Sequence, residues 1–142
     1  MTLQEVLRAK NRCLSRFWQV TDTFRREAGE GRWEGLGAFH RERDYILKSL
    51  DALDAKATEA ATKLRAEERT EALKEELRSL LRERDLAIAE IFRLDSIVIE
   101  LIENERERTE ASLGASLRGR SIIGKFKSGG GPRSGREVDG EV

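Results

Sequence analysis

Apolar residues recur every three or four positions along most of this chain, and the places where that rhythm stops divide it into segments. Leu3, Leu7, Leu14, Phe17 and Phe24 keep the spacing, with Val6, Cys13, Trp18 and Val20 widening the stripe and Lys10 and Thr21 interrupting it. The pattern predicts an amphipathic helix over about 3–27. Thr2 followed by Glu5 has the form of a capping box, in which each side chain satisfies a backbone amide of the other's turn. Gly29, Gly31, Gly35 and Gly37 then crowd one short stretch, where backbone entropy opposes helix and a first turn is predicted.

The rhythm resumes with Leu36, Phe39, Ile46, Leu50 and Leu53 on a helix over about 33–62, with Arg43 standing where the repeat asks for an apolar side chain. Alanines and threonines weaken it from Ala55 to Thr62, and Thr70 is a ready cap for a new helix, so a turn is expected between residues 62 and 70. No Gly or Pro marks that turn. The alternative is one rod from Leu36 to Leu113, about 115 Å long, which would need a coiled-coil partner.

The clearest seam is Leu73, Leu77, Leu80, Ile88, Ile91, Leu94, Val98 and Leu101 or Ile102, broken at Arg84, on a third helix over about 70–112. Glu105 and Thr109 take the next seam positions, and Gly114, Gly119 and Gly124 punctuate the stretch beyond them, so a short, frayed helix over about 113–127 is expected. The stretch 128–142, with Gly129-Gly130-Gly131-Pro132 and Ser134-Gly135, reads as a flexible tail with nothing to bury. The fold class is therefore all-α: an antiparallel bundle of three long helices plus the C-terminal helix, in a single folding unit over about 1–127.

Composition narrows the function. Lys and Arg number 27, as do Asp and Glu, so no net field draws the chain to nucleic acid or to a membrane. A lone cysteine, Cys13, excludes an internal disulfide framework and a multi-cysteine metal site, and fits a reducing compartment. Met1-Thr2-Leu3-Gln4-Glu5 lacks the basic and apolar regions of a secretory signal. The most apolar run, Ile97-Val98-Ile99, meets Glu100 at once, far short of a membrane span. A cytoplasmic protein is expected.

Candidate chemistry is sparse. His40 lies between Phe39 and Arg41 with no triad-like Ser or Cys nearby in the sequence. Glu67, Glu68, Glu75 and Glu76 interleave with Lys and Arg at the spacing of solvated helix pairs, and the Glu-x-x-His of di-metal bundles is absent. Gly129 to Gly135 has neither the Gly-Lys-Ser/Thr ending nor the preceding strand of a phosphate loop. The expectation is a protein with no catalytic site, cofactor or metal, which acts by binding another protein.

Two features point to where. Between Ala111 and Arg136 no acidic residue occurs, while Arg118, Arg120, Lys125, Lys127, Arg133 and Arg136 do, interspersed with apolar residues. Leu113, Leu117, Arg118, Arg120, Ile122, Ile123 and Phe126 are thus the candidate partner-binding residues, on a basic amphipathic end suited to docking on a groove or an acidic surface. The plainer reading of the same residues is a terminal helix packing weakly on the bundle. Trp33 beside the glycine turn, with Trp18 on the first helix, suits a buried turn anchor better than an exposed hot spot.

Several strings together resemble the small helical FliT-type flagellar export chaperones, related in style to the FlgN type. They are Trp33-Glu34 opening the second helix, Glu42-Arg43-Asp44 leading to Ile46, Leu50 and Leu53, and Ile91-x-x-Leu94-Asp95-x-x-Val98-x-x-Leu101-Ile102 before the charged Glu103 to Arg108. Leu117-Arg118-Gly119-Arg120, ahead of Phe126, is similar to the family's terminal Leu-Arg-x-Gly-Arg run before an aromatic. The likeness covers Trp33 to Phe126. It departs in placing Gly119 directly after Arg118, in Phe126 where tyrosine is common, and in the glycine-rich, acidic-ended tail.

The resemblance implies a cytoplasmic chaperone, without cofactor or ATPase activity, that keeps a flagellar axial protein unassembled and brings it to the export apparatus. The filament cap, or a hook-associated protein, would be its client. Interruptions at Lys10, Thr21, Arg43, Glu105 and Thr109 would keep such a chaperone from packing too well with itself. Two rivals remain: a coiled-coil scaffold or adaptor whose third helix forms a homodimer, and a binder of nucleic acid or anionic membrane through residues 111–136, against which the net charge of zero argues.

Overall fold

A computed structural model of the protein describes residues 1–128, with side chains as far as Arg118. The protein is all-α. Its elements are α1 (Leu3–Gly29), α2 (Leu36–Thr62), a single 3-10 turn (Ala66–Glu68) and α3 (Glu71–Ser128); no strand occurs among the described residues. The tail 129–142 lies outside them. By contacts the chain divides into two compact units, Met1–Val98 and Ile99–Val142.

The helix ends follow from local chemistry. The Glu5 amide donates to the Thr2 hydroxyl at 3.1 Å and the Thr2 amide to the Glu5 carboxylate at 3.3 Å, completing the capping box. Gly31 turns the chain after α1 with φ of +80°, a conformation that side chains with a Cβ resist. The second helix starts at Leu36 and not at Trp33. Gly35 is its N-cap, and the Trp33 carbonyl accepts from the Leu36 amide at 3.2 Å within the turn. The region 62–70 is a true turn: α2 stops at Thr62, and the Leu73 amide donates to the Thr70 hydroxyl at 3.1 Å where α3 begins. Helices α2 and α3 are therefore separate, and the single rod is excluded.

In Met1–Val98, α1 and α2 run antiparallel. Lys10 pairs with Asp54 and, further along, Arg16 with Glu42 at 3.6 Å; at the turn Phe24 stacks on Phe39 with centroids 4.3 Å apart. The first part of α3 runs alongside α1 in the same direction, with Arg8 paired to Glu76 and the Asn11 side-chain amide donating to the Leu80 carbonyl at 3.1 Å. Leu14, Phe17, Ile46 and Ile91 form the centre, with Cys13, Trp18, Val20, Leu50, Ala87 and Ile88 packed round them. The seam of α3 faces inward as its spacing requires: Leu73, Leu80, Ile91, Leu94 and Val98 are buried, each such side chain contributing about 1.5–3 kcal/mol.

Trp33 closes the turn end, edge-on to Phe24 at 5.7 Å, as a turn anchor. Of the seam interruptions in this unit, Thr21 is interior and Lys10 and Arg43 are half-buried. Thr21 is fully buried and its hydroxyl donates to the Phe17 carbonyl at 2.8 Å, so it fills the seam with its polar atom satisfied. Arg43 does the same with a charge.

Asp22, 7% exposed, accepts from Arg25 at 2.7 and 3.1 Å and pairs with Arg26 at 2.7 Å. The Arg25 hydrogen bond, with the nearby Arg26 charge and against a smaller opposing effect of burial, holds this carboxyl below its usual 3.8. Because the folded value is depressed, its stabilisation is present in full above about pH 5 and is lost as pH falls through the folded value. Urea titrations should therefore show the wild type exceeding Asp22→Asn at about pH 6 and that gap narrowing as the pH is lowered below the ordinary carboxylate range; a gap independent of pH would refute the assignment.

In the second unit, the absence of a break at Gly114 is a correction to the expected separate helix over 113–127. Helix α3 is continuous through Gly114 to Ser128. Gly114, Gly119 and Gly124 each cost about 1 kcal/mol relative to alanine, spaced five residues apart among good helix formers, and no proline lies within the helix. From Ile99 to Arg118 no described residue is buried, in keeping with the polar seam residues Glu105 and Thr109.

Candidate functional site

The residues predicted to bind a partner fall on the C-terminal part of α3. Leu113 and Leu117, one helical turn apart, are both half-buried, and Arg118 is exposed, its guanidinium lying over Gly114 at 3.5 Å from where a Cβ would stand. Arg120, Ile122, Ile123 and Phe126 belong to the same helix by backbone, but their side chains lie outside the described residues. Leu101 and Ile102 extend the half-buried apolar row towards the start of this unit, with Glu105 also half-buried. What Leu113, Leu117 and Arg118 offer is a partly open apolar strip with a cation at its edge, which can pair with another helix.

In Met1–Val98 the most unusual arrangement surrounds Arg43. Its guanidinium lies 4.4 Å from the Phe17 ring centroid and 4.9 Å from that of Phe39, and it donates to the Asp95 carboxylate on α3 at 2.9 Å. A planar cation can fill an apolar seam position in this way, because its faces stack on rings while its edge reaches a carboxylate. The sequence marks Arg43 only as an interruption; the signal that could have assigned it is its place between Phe39 and Ile46 on the same face. The second oxygen of Asp95 is buried without a hydrogen-bond partner among the described residues. Asn11 and Asp22 were likewise missed as interior polar residues, since neither departs from what a solvated face would carry.

His40 is exposed, its ring 5.4 Å from Phe39. Among the described residues no three His, Cys, Asp or Glu side chains gather as a metal site, and no helix is long and apolar enough to cross a membrane. Leu86 and Phe92 on α3 are 72% and 67% exposed, and Tyr45 on α2 is 74% exposed. Beside Tyr45, a groove of about 590 Å³ opens between α1 and α2. Comparisons with family models, with curated proteins and with solved structures give no match to the chain.

Proposed function

We propose that the protein is a flagellar export chaperone of the FliT kind: it binds a flagellar axial protein, the filament cap, holds it unassembled in the cytoplasm and delivers it to the export apparatus, with no cofactor and no catalysis. The observation that supports this reading is the C-terminal part of α3, where Leu113 and Leu117, beyond the polar seam positions Glu105 and Thr109, are apolar and only half-buried, on a segment free of acidic residues from Ala111 to Gly135. Half-open apolar rows on a helix are completed by another helix, and axial proteins assemble through amphipathic helices whose apolar faces need covering beforehand. The resemblance of the sequence to FliT-type chaperones suggests the client; the physics supports only the mode.

The triple replacement Leu113→Asp, Leu117→Asp and Ile122→Asp tests it. Titrated against the filament-cap protein by calorimetry, the variant is expected to lose at least about 100-fold in affinity, since three apolar anchors are exchanged for charges that would be buried unpaired. Its helicity by circular dichroism should stay close to that of the wild type. Retained affinity would move the client site elsewhere.

A second reading, a coiled-coil scaffold or adaptor that pairs through α3 with another copy, draws on the exposed Leu86 and Phe92. It predicts a mass in solution twice that of the monomer in the absence of any client.

A further inference from the structure

The groove between α1 and α2 has a different chemistry from the C-terminal end of α3. Ala9 and Cys13 on α1 and Ile46 and Leu53 on α2 give it an apolar floor, with no residue of α3 in its lining. Tyr45 stands exposed along one side. The α2 residues that line it, from Arg41 to Leu53, extend over about 18 Å, which matches three turns of a docked helix.

The charges on its rim are Arg12, Arg16, Arg41 and Glu42. Arg16 and Glu42 neutralise each other at 3.6 Å. Arg12 and Arg41 pair with no carboxylate among the described residues. They stand out in this unit: every other arginine of Met1–Val98 has a carboxylate partner except Arg69, which donates to the Leu64 carbonyl at 3.4 Å. In a chain with as many carboxylates as cations, the two arginines left over flank the same apolar floor. Such a rim favours a ligand that brings its own carboxylates and disfavours one that brings cations.

We infer that the α1/α2 groove is a docking site for an amphipathic helix of a partner protein whose apolar stripe is flanked by Glu or Asp. The partner helix lays its apolar stripe over Ala9, Cys13, Ile46 and Leu53, is bordered by the Tyr45 ring, and sets its carboxylates against Arg12 and Arg41. This site does not depend on the client reading of α3, because it uses none of the same residues.

The test uses the full chain and three fluorescein-labelled helical peptides of about 18 residues, with one leucine stripe and flanks of all Glu, all Lys or all Gln. By fluorescence anisotropy the Glu-flanked peptide should bind at least about tenfold more tightly than the Lys-flanked one, and the difference should shrink as salt is added. Arg12→Glu with Arg41→Glu should invert the preference, and Tyr45→Ala should weaken the Glu-flanked peptide by about tenfold. All three side chains are exposed, so the variants should fold; should the double exchange fail to, the salt titration and Tyr45→Ala still decide.

The Leu113→Asp, Leu117→Asp and Ile122→Asp variant should bind the peptide as the wild type does, which separates failure here from failure of the client reading. Equal binding of the three peptides, or a preference that survives the charge exchange, would overturn the proposal. So would a homodimer that the charge exchange dissolves, since the groove's occupant would then be a second copy of this chain.

Discussion

Phe24→Ala is expected to lower the unfolding free energy by about 4 kcal/mol, the largest loss from any single truncation in the bundle. Phe24 is 2% exposed and holds the turn end together from the middle, stacked on Phe39 at 4.3 Å and edge-on to Trp33 at 5.7 Å. Its removal leaves a cavity between two rings that cannot collapse freely, because Phe39 is fixed on α2 and Trp33 on a turn shaped by Gly31. Both the transfer of the ring and the aromatic pairings are lost at once. A drop of that size should lower the thermal midpoint by about 15 °C, and the fluorescence of Trp33 should redden under native conditions. A loss below about 1.5 kcal/mol would mean that the aromatic cluster is not part of the core.

Arg43→Ala should cost about 3 kcal/mol, near the lower edge for breaking a buried ion pair because both side chains keep 22% exposure. The truncation removes the cation from Phe17 and Phe39 and leaves Asp95 Oδ2, like Oδ1 already, without a hydrogen-bond partner among the described residues. Most of that cost comes from the stranded carboxylate and not from the contact itself. The double replacement Arg43→Met with Asp95→Leu should therefore recover to within about 1 kcal/mol of the wild type, an apolar pair filling the volume of the ionic one. A double-mutant cycle measured by urea unfolding gives the coupling directly; a double variant as unstable as Arg43→Ala would show that the guanidinium matters for packing and not for the carboxylate.

These two residues also show what the sequence could and could not convey. Periodicity identifies which side of a helix faces inward, and it placed Leu73, Leu80, Ile91, Leu94 and Val98 correctly because burial of aliphatic side chains is what generates the spacing. Thr2 with Glu5 and Thr70 marked helix starts for an equally local reason, a side chain that satisfies a nearby amide. Arg43 was legible only as a gap in the pattern. That a guanidinium can occupy an apolar position depends on two rings and a carboxylate that come from three different helices, which no local window contains.

The same limit applies at the helix boundaries and on the surface. Trp33 looked like the first residue of α2, yet its contact with Phe24 keeps it in the turn, and the helix waits for Leu36. Gly114 looked like a stop, although a single glycine among good helix formers only weakens a helix. Of the two proposed binding surfaces, the basic end from Leu113 to Phe126 stands out by composition. Arg12 and Arg41 do not, since their lack of partners emerges only once the other arginines have found theirs across the bundle.

The central claim, that this helical protein works by covering a flagellar axial protein, is tested most directly by light-scattering mass on a sizing column, with the chain alone and with each flagellar axial protein from the same source. A one-to-one or two-to-one complex with the filament cap, and not with the other axial proteins, is the predicted result. No complex with any of them, together with a stable homodimer of the chain alone at micromolar concentration, would contradict it in favour of the coiled-coil scaffold.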